Sequence, residues 1–493
     1  DEMRAWIGIT LVMGVCKVRD IANYCSPRPG FRNVLICRTM SRSRYQTLSS
    51  VLQCADPETN PDHWPKTTAE ENKRIFNAKK NNPLYPLKVL WNVVLRNCRK
   101  NYRPLREIAL DEAMIRYKGF KGFVRKIFMP LKPIRSGFKV YAICESVTGY
   151  MMNFDVHRSL GTPGNKMLNI ALSVIKPFFQ LWHHVFCDKL YTSVALAEAL
   201  LEEDTYITGA VKTNSKGLAL QLSGDERRNP SIPKAKSIKA MKRTPRGTIY
   251  TRQQNRLTYT LWHDSSIMSI LSSAFNAFRN KITDFLKRCF SIDGLQKSKE
   301  HLVAAPPSVI AYTKYMGGVD KADQLRAYHT CARKSQTWWK QLLYFLIDVS
   351  RVNAWICYKA SLQQPNADSD LDSSSDSPRR SKKRPSHTNF VMDIAEQLIN
   401  GYTRGKVINE KAFGRQHTKA NPVPLRNGPQ HISIRMDSKY GRECVQCKRD
   451  GNYRLGGKGR FKTTIHGCRS CNVFLCKTGC FTKFHAAAGI PGL

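Results

Sequence analysis

The first hundred residues of the chain repeat apolar and polar positions with a helical period. Apolar residues recur three and four positions apart over 2–16, 41–52 and 86–98, and polar loops with several prolines separate these segments. This spacing predicts amphipathic helices. We therefore predict a helical domain over 1–104 that serves as a scaffold, a dimerisation surface or a DNA contact. Because residue 1 lies inside the first predicted helix, we expect further residues upstream.

From residue 106 the pattern changes to that of β-strands alternating with helices. Strand-like runs lie at 107–117, 138–145, 150–157, 183–187 and 206–211, and helical periodicity lies at 166–179 and 193–201. The order β-β-β-α-β-α-β is that of a ribonuclease-H-like α/β fold. We assign 105–211 to the first part of this domain and 307–363 to its final helices. The basic, proline-dotted segment 212–306 is predicted to be an insertion, with a strand pair near 248–263.

Three aspartates close apolar runs at widely separated places: Asp111, Asp188 and Asp320. Asp323 stands three residues after Asp320, on the same face of a predicted helix. One acid at a strand or helix end is usually a turn residue or a cap. A carboxylate at the end of a hydrophobic strand is nevertheless costly to desolvate unless it is paired or binds a cation. Two divalent ions held by shared carboxylates would form a phosphoryl-transfer site.

The charge of the chain predicts a polyanionic partner. The 493 residues include 80 lysines and arginines against 37 acids, a formal net charge of +43 that is spread along the chain. Nucleic acid is the partner that this field favours, and a merely solubilising basic surface is the alternative. Arg333, Lys334 and Trp338, at the entry of a helix predicted over 338–362, are candidate DNA contacts, although packing also explains the tryptophan. We expect no membrane partner, because no apolar run is long enough to span a bilayer.

Four segments carry a resemblance to a known family: LDEAMIRYKG at 110–119, MPLKP with GFK at 129–139, CDKLYTS at 187–193 and GGVDKADQ at 317–324. In order and spacing they resemble the successive motifs of the piggyBac transposases. The resemblance implies a ribonuclease-H-like DDE core in which Asp111, Asp188 and Asp320 hold two magnesium or manganese ions, with Asp323 as a nearby acid. It also implies a homodimer that cuts double-stranded DNA at transposon terminal repeats and joins it to TTAA targets.

Two positions depart from the family pattern. Lys189 follows Asp188 where the family usually has asparagine, and Phe120 stands where an arginine is common. An ammonium beside the acids would either bind a phosphate or compete with a metal ion. Three interpretations therefore stay open: an active transposase, a domesticated descendant that binds DNA or chromatin without catalysis, and a nuclease that uses the same core for hydrolysis.

A linker is predicted over 364–438. It begins with a tract rich in Asp and Ser, which cannot bury enough apolar surface to fold. A basic cluster follows, of the kind that a nuclear import receptor reads, and it predicts a nuclear protein. The cluster consists of Arg379, Arg380, Lys382, Lys383 and Arg384.

The C-terminal segment 439–488 is predicted to be a zinc-binding domain. Its seven ligand-type residues are Cys444, Cys447, Cys468, Cys471, Cys476, Cys480 and His485. They exceed what one tetrahedral zinc needs, which suggests two interleaved sites with His466 as a possible eighth ligand. The ligand pairing does not follow from spacing. The resemblance implies a domain that binds terminal-repeat DNA, with Arg449, Arg460 and Lys462 among its basic contacts, although similar cross-braced modules in other proteins read histone tails.

Overall fold

The computed structural model describes most of the chain. The described residues are 1–119, 124–130, 132–157, 166–218, 241–281, 284–292, 295–362, 386–402, 431–436, 441–451, 462–468, 471–477 and 479–486. Contacts divide the chain into two units, 1–404 and 405–493. Within the described ranges, no helix combines the length and the apolar character that a membrane crossing requires.

The first unit begins with helices. They are α1 (Glu2–Val15), a 3₁₀ helix (Ile21–Cys25), α2 (Val34–Thr39), α3 (Arg42–Val51), α4 (Ala69–Asn81) and α5 (Lys88–Lys100). The three predicted helices are confirmed as α1, α3 and α5. Helix α4 was not predicted, because its only buried residue is Ile75. It begins at a capping box in which Thr68 and Glu71 each accept a hydrogen bond from the other's backbone N–H.

A sheet follows, and its elements occur in the predicted order, except that an unpredicted short strand lies between the first two predicted strands and pairs with the second. They are β1 (Glu107–Arg116), β2 (Lys126–Phe128), β3 (Ser136–Glu145), β4 (Met151–Val156), α6 (Lys166–Ile175), β5 (His184–Cys187), α7 (Val194–Glu202) and β6 (Tyr206–Ala210). Strand β3 pairs antiparallel with both β1 and β4, while β5 runs parallel to β1 and β6 parallel to β5. The spatial order is therefore β4-β3-β1-β5-β6.

Both faces of this sheet are covered by helices. Ile108 and Leu110 of β1 join one buried cluster with residues of α6 and α7. Ala113 and Ile115 join another on the opposite face. Because side chains alternate along a strand, a strand buried on both faces reads as a nearly continuous apolar run, as β1 does.

The segment predicted as an insertion extends the same sheet. It contains β7 (Ile249–Gln254), β8 (Leu257–His263), β9 (Ile267–Ser272), β10 (Asp284–Ile292) and β11 (Leu295–Ala305). The predicted strand pair is confirmed as β7 and β8. Strand β9 pairs antiparallel with β6, so the sheet continues in the order β6-β9-β8-β7. Strands β10 and β11 form a separate hairpin.

Helices complete the first unit: α8 (Pro307–Tyr315), α9 (Gly318–Tyr328), α10 (Trp338–Ser361) and α11 (His387–Ile399). Helix α10 buries Leu342, Phe345 and Val349 in the cluster that also holds α5, as its predicted apolar side requires. Helix α11 packs on α1. A Cβ atom at Gly8 would lie 2.7 Å from the carbonyl oxygen of Ala395, so this close approach requires glycine.

The second unit is small, and cysteines form much of its interior. It contains β12 (Ser433–Arg435), β13 (Arg442–Glu443), α12 (Val445–Arg449), β14 (Thr463–Thr464), β15 (His466–Cys468), β16 (Val473–Phe474) and α13 (Cys480–Ala486). Cys444, Cys447 and Cys468 are buried with Leu475 and Phe484. The basic cluster 379–384, Phe120 and Arg460 lie outside the described residues.

Candidate functional site

Asp111 and Asp188 stand at the same edge of the sheet, on neighbouring parallel strands. In the register of β1 and β5, Leu110 pairs with Cys187. Asp111 directly follows Leu110, and Asp188 directly follows Cys187. The charges of both acids affect the pKa of the buried Cys187 thiol. Its pKa is raised to about 12, mainly by burial, and the charges of Asp188 and Asp111 contribute in the same direction. The two carboxylates therefore share one local environment.

The Asp111 carboxyl group is largely withdrawn from water. Its side chain is 13% exposed, and the Nζ atom of Lys132 lies 3.9 Å from its Oδ2 atom. Burial is the main cause that raises the pKa of Asp111 to about 7, with the neighbouring Glu112 carboxylate acting in the same direction and the Lys132 charge opposing both. Glu112 pairs with Lys139 at 2.5 Å, with both side chains buried. Additional positive charge close to such a carboxyl group would favour its ionised form.

Helix α9 brings Asp320 and Asp323 to the sheet from a distant part of the chain. A Cβ atom at Gly318 would lie 3.1 Å from the Ala109 side chain, so the first turn of α9 packs directly on β1. Asp323 and Asp111 both raise the pKa of the buried Cys144, after the larger effect of burial. Asp323 accepts a hydrogen bond of 2.7 Å from Arg326.

A groove of about 810 Å³ continues from these acids across the surface. Its lining includes Asp320, Asp323, Lys132, Arg116 and Gln341. Asp320 is exposed and Asp111 is not part of the lining. In the described part of the chain, no carboxylate group of three or more acids has its oxygens within 4.8 Å of one another. Asp320 and Asp323 therefore line one groove, and the helix that carries them packs on β1, the strand that holds Asp111.

Arg333 and Lys334, the two basic residues predicted to contact DNA, have different surroundings. The guanidinium of Arg333 donates hydrogen bonds to the Met13 carbonyl and, at 3.2 Å, to the Tyr24 hydroxyl, and it lies 5.8 Å from the centre of the Tyr24 ring. This side chain connects the entry of α10 to helix α1, so Arg333 has a packing role, and its contact with DNA stays a prediction. Lys334 is exposed.

Trp338 is partly buried against the core, whereas Lys189 is exposed. The Trp338 ring makes edge contacts with Tyr85 and Phe138, with centroids 6.4 Å apart in each pair. These contacts support the packing interpretation of this tryptophan, and its contact with DNA stays a prediction. Lys189, the departure beside Asp188, is exposed to solvent beyond the end of β5.

The first group of metal-ligating side chains in the second unit joins four cysteines. Cys444, Cys447, Cys476 and Cys480 place their sulfur atoms within 4.8 Å of one another. The Cys447 sulfur lies 3.8 Å from that of Cys476 and 3.5 Å from that of Cys480. Zn–S bonds of about 2.3 Å in a tetrahedron require sulfur atoms ~3.8 Å apart, so this group fits zinc.

Hydrogen bonds prepare one of these thiols to ionise. The Cys444 sulfur accepts the backbone N–H groups of Cys447 and Cys476, at 3.5 and 3.3 Å. Burial opposes ionisation of Cys444, but these hydrogen bonds lower its pKa. Burial raises the pKa of Cys447 to about 12 and that of Cys480 to about 11. Four crowded thiols therefore become thiolates together only when a cation binds among them.

The second group contains a ligand that sequence reasoning missed. His431, Cys468, Cys471 and His485 have their ligand atoms within 4.8 Å of one another. The Nδ1 atom of His431 lies 3.5 Å from the Cys468 sulfur and 3.3 Å from the Cys471 sulfur. His466 belongs to neither group, so the expectation that it is the eighth ligand was wrong. His431 lies in the segment predicted as a linker, thirteen residues before the first cysteine, with no nearby ligand to mark it.

His485 is oriented for metal binding by its second ring nitrogen. Its Nδ1 atom lies 2.7 Å from the carbonyl oxygen of Phe481, and because a carbonyl can only accept, Nδ1 carries the proton. The unprotonated Nε2 atom then faces the Cys471 sulfur at 3.6 Å. Such an outer hydrogen bond fixes both the tautomer and the ring direction of a ligating histidine.

The two groups alternate along the chain. In sequence order, His431 belongs to the second group and Cys444 and Cys447 to the first. Membership then alternates: Cys468 and Cys471 belong to the second group, Cys476 and Cys480 to the first, and His485 to the second. This is the interleaved arrangement that the ligand count predicted. Around it, Lys462 is exposed, while the guanidinium of Arg449 lies 5.0 Å from the centre of the Phe484 ring.

Comparison with known proteins identifies the class of protein that this fold represents. A family model described as Transposase IS4 matches residues 1–355. A solved structure of a piggyBac transposase synaptic complex with hairpin DNA matches with a TM-score of 0.61 and 22% sequence identity, over 84% of this chain and 74% of that one. The fold is therefore the α/β fold of a transposase.

The similar curated proteins narrow the family. The human piggyBac transposable element-derived protein 2 is 24% identical over 380 residues, which are 75% of this chain and 57% of that protein. The human piggyBac transposable element-derived protein 3 is also 24% identical, over 74% of this chain and 56% of its own length. This chain belongs to the piggyBac-type transposase family, and it spans a little over half the length of these two relatives.

Proposed function

We propose that this protein is a DNA transposase that cleaves and joins DNA strands at transposon ends, with insertion at TTAA targets. The proposal rests mainly on the register of the parallel strands β1 and β5. Leu110 and Cys187 form the last pair of that register, and Asp111 and Asp188 are the residues that follow them. Asp320 reaches the same edge on α9, which packs on β1 at Ala109.

The order of the strands supports a ribonuclease-H-like catalytic core. Three antiparallel strands are followed by two parallel ones, in the spatial order β4-β3-β1-β5-β6, with helices between the later strands. In this arrangement Asp111 lies within the central strand, directly after the last residue that pairs with β5, and Asp188 follows the end of β5. Acids at those two places can act on one phosphate group.

Asp111, Asp188 and Asp320 would hold two magnesium or manganese ions, because carboxylate oxygens are the ligands that hard cations prefer. When bound, such ions supply activation of the attacking oxygen and stabilisation of the leaving oxygen in an in-line displacement. The chain's own residues contribute orientation and charge. Lys132 holds positive charge beside Asp111, and the buried pair of Glu112 and Lys139 supports the strand from which Asp111 projects.

Double-stranded DNA is the proposed partner. The formal net charge of +43 favours a polyanion. The structurally similar piggyBac transposase is described as a synaptic complex with hairpin DNA, which supports a DNA substrate here. We further propose that the chain acts as a homodimer on the two ends of one element.

The second unit is proposed to bind terminal-repeat DNA through a scaffold held by two zinc ions. Both four-ligand groups match tetrahedral zinc in ligand type and spacing. Lys462 and other basic residues around the ligands supply phosphate contacts. Nuclear localisation through an import receptor is proposed on the sequence of the basic cluster 379–384 alone.

A second candidate function is a domesticated protein that binds DNA without cutting it. Two observations favour it. The similar human proteins are named as transposable element-derived. An exposed lysine at 189 stands directly beside Asp188.

An excision assay separates these functions. The full chain is supplied with a plasmid in which the element's own terminal repeats interrupt a reporter, and repair of the reporter is counted. Asp188→Asn removes one carboxylate charge at constant size. Asp204→Asn is the matched control, because Asp204 is exposed and has a φ of 49°, a conformation that asparagine tolerates well.

The transposase proposal expects excision by the wild type and the control, and a loss of at least about a hundredfold in Asp188→Asn with repeat binding unchanged. Equal excision by all three proteins would rule out the proposed site. Tight repeat binding without excision by any of them, in magnesium or manganese, would favour the domesticated binder.

A further inference from the structure

Lys132 lies in the connection between β2 and β3, beside the strand that carries Asp111. Strands β2 and β3 pair antiparallel, so this connection closes a hairpin. Within it, the backbone N–H of Met129 donates to the carbonyl oxygen of Arg135 at 2.7 Å, and the N–H of Lys132 donates to the carbonyl oxygen of Met129 at 3.3 Å. These hydrogen bonds turn the connection back on itself, and the Lys132 side chain reaches β1.

The Lys132 ammonium group contacts β1 at two points. Its Nζ atom donates a hydrogen bond to the carbonyl oxygen of Glu112 at 3.4 Å, and it lies 3.9 Å from the Oδ2 atom of Asp111. The second distance is that of an ion pair and exceeds the length of a hydrogen bond. An ammonium group has three N–H donors, and the carbonyl oxygen of Glu112 uses a single one of them. The group therefore has the capacity to bind an incoming acceptor.

Lys139, the second lysine near Asp111, has a different environment. Its Nζ atom lies 2.5 Å from the Oε1 atom of Glu112, and both side chains are buried. The two charges of this pair therefore compensate each other inside the protein. The Lys132 side chain, in contrast, is 28% exposed and lines the groove of about 810 Å³. Of these two lysines, Lys132 is the one that an anion from solvent can reach.

The same groove combines Lys132 with the acids of α9. Asp320 and Asp323 line it, and so does the exposed Arg116 at the end of β1. Carboxylates repel a phosphate group at short range, so a phosphodiester beside them needs positive charge nearby. Divalent ions would supply part of that charge. A lysine beside Asp111 supplies a further part from the protein itself, because lysine binds phosphate as a point charge.

We propose that Lys132 contacts the phosphate at which the DNA strand is cut and donates a hydrogen bond to one of its non-bridging oxygens. This contact rests on the proposed DNA substrate. Lys132 holds the phosphate at the acids, and it offsets the negative charge on the phosphate oxygens during in-line displacement. Because the contact comes from the protein's own side chain, it forms without magnesium or manganese.

The test is a double-mutant cycle between Lys132 and the phosphate, measured as DNA binding. The full chain, supplied with zinc and with no added magnesium or manganese, is titrated with a duplex that joins a terminal repeat to its flank. The junction phosphate is either natural or replaced by a methylphosphonate, in which a methyl group takes the place of one charged oxygen. The two methylphosphonate isomers are tested separately.

Lys132→Met removes the ammonium group and keeps an unbranched side chain. Lys126→Met is the matched control, because Lys126 is exposed in the same hairpin and its Nζ atom also donates to a backbone carbonyl oxygen, that of Gly119, at 3.1 Å. Lys126 is not among the residues that line the groove. For each protein, the effect of the methylphosphonate is expressed as the ratio of the two dissociation constants, modified duplex over natural duplex.

The proposal expects this ratio to be at least about tenfold larger in the wild type and in Lys126→Met than in Lys132→Met, for at least one isomer. The reason is that the methylphosphonate removes a charged hydrogen bond only where the ammonium group is present. If Lys132 served only to stabilise the fold, Lys132→Met would weaken the binding of both duplexes by the same factor. Equal ratios in Lys132→Met and the wild type, for both isomers, would overturn the proposal.

This outcome is separate from the outcome of the excision assay. Absence of excision by every protein would contradict the transposase proposal, while the ratio of dissociation constants would still report whether Lys132 contacts the phosphate. Excision by the wild type together with equal ratios would contradict the Lys132 contact alone.

Discussion

Replacement of His431 by alanine tests the metal assignment of the second unit directly. The side chain is 7% exposed, and its Nδ1 atom faces the sulfurs of Cys468 and Cys471 at 3.5 and 3.3 Å. Structural zinc contributes about 10–16 kcal/mol through four ligands, so one ligand accounts for roughly 3 kcal/mol. We therefore expect zinc at this site to dissociate about 100-fold more readily, since each 1.4 kcal/mol is a factor of ten.

Chelator competition on the full chain measures this effect. Wild-type protein should retain two zinc ions per chain against a graded chelator, whereas His431→Ala should lose one of them early and keep the other. His466→Ala is the matched control, because His466 lies in the same small unit but outside both ligand groups. Early loss of one ion from His466→Ala, together with two tightly held ions in His431→Ala, would refute the assignment.

Three further predictions follow from the first unit. Burial, with a smaller effect of Arg106, lowers the pKa of His184 to about 3. Below pH ~6.5 the unfolded chain therefore binds more protons than the folded chain, and the free energy of unfolding in urea should be about 2–3 kcal/mol lower at pH 4.5 than at pH 7.5. The variant His184→Gln should show a weaker dependence on pH. Gly137→Ala would place a Cβ atom 1.9 Å from the carbonyl oxygen of Ile115; we expect a loss of roughly 3 kcal/mol, and an unchanged urea midpoint would contradict this packing. Lys334→Ala should weaken DNA binding at constant melting temperature and reduce the salt slope by about one, whereas Arg333→Ala should lower the melting temperature; the reverse pattern would restore Arg333 as the DNA contact.

Much of the fold could be predicted because burial repeats along the chain. Helix α10 presents an apolar side with a helical period, while β1 and β3 present nearly continuous apolar runs of strand length. Helix α4 was not predicted because its surface is mostly polar and it has a capping box but almost no buried apolar residues to show a helical period. The attachment of β9 to β6 was also not predicted, since a short strand does not reveal its partner.

The candidate acidic site was predicted in its members and not in its geometry. Asp111 and Asp188 could be recognised because a carboxylate that ends an apolar run stands out in the sequence, although Asp111 lies inside β1 and not at its end. Their adjacency depends on the register of two strands that are more than seventy residues apart. The packing of Gly318 on β1, which brings Asp320 to the same edge, depends on a contact across more than two hundred residues.

The sequence alone determined which chemistry this chain can carry: acids at strand ends, paired cysteines near the C-terminus and a strongly basic surface. Local pattern suffices for these features, because residue type and period are properties of short segments. The tertiary structure decided which side chains meet. It placed His431, and not His466, in the second group of candidate metal ligands, and it joined Arg333 to the Tyr24 hydroxyl. A ligand or a hydrogen-bond partner is chosen by distance in space, and the folded chain sets that distance.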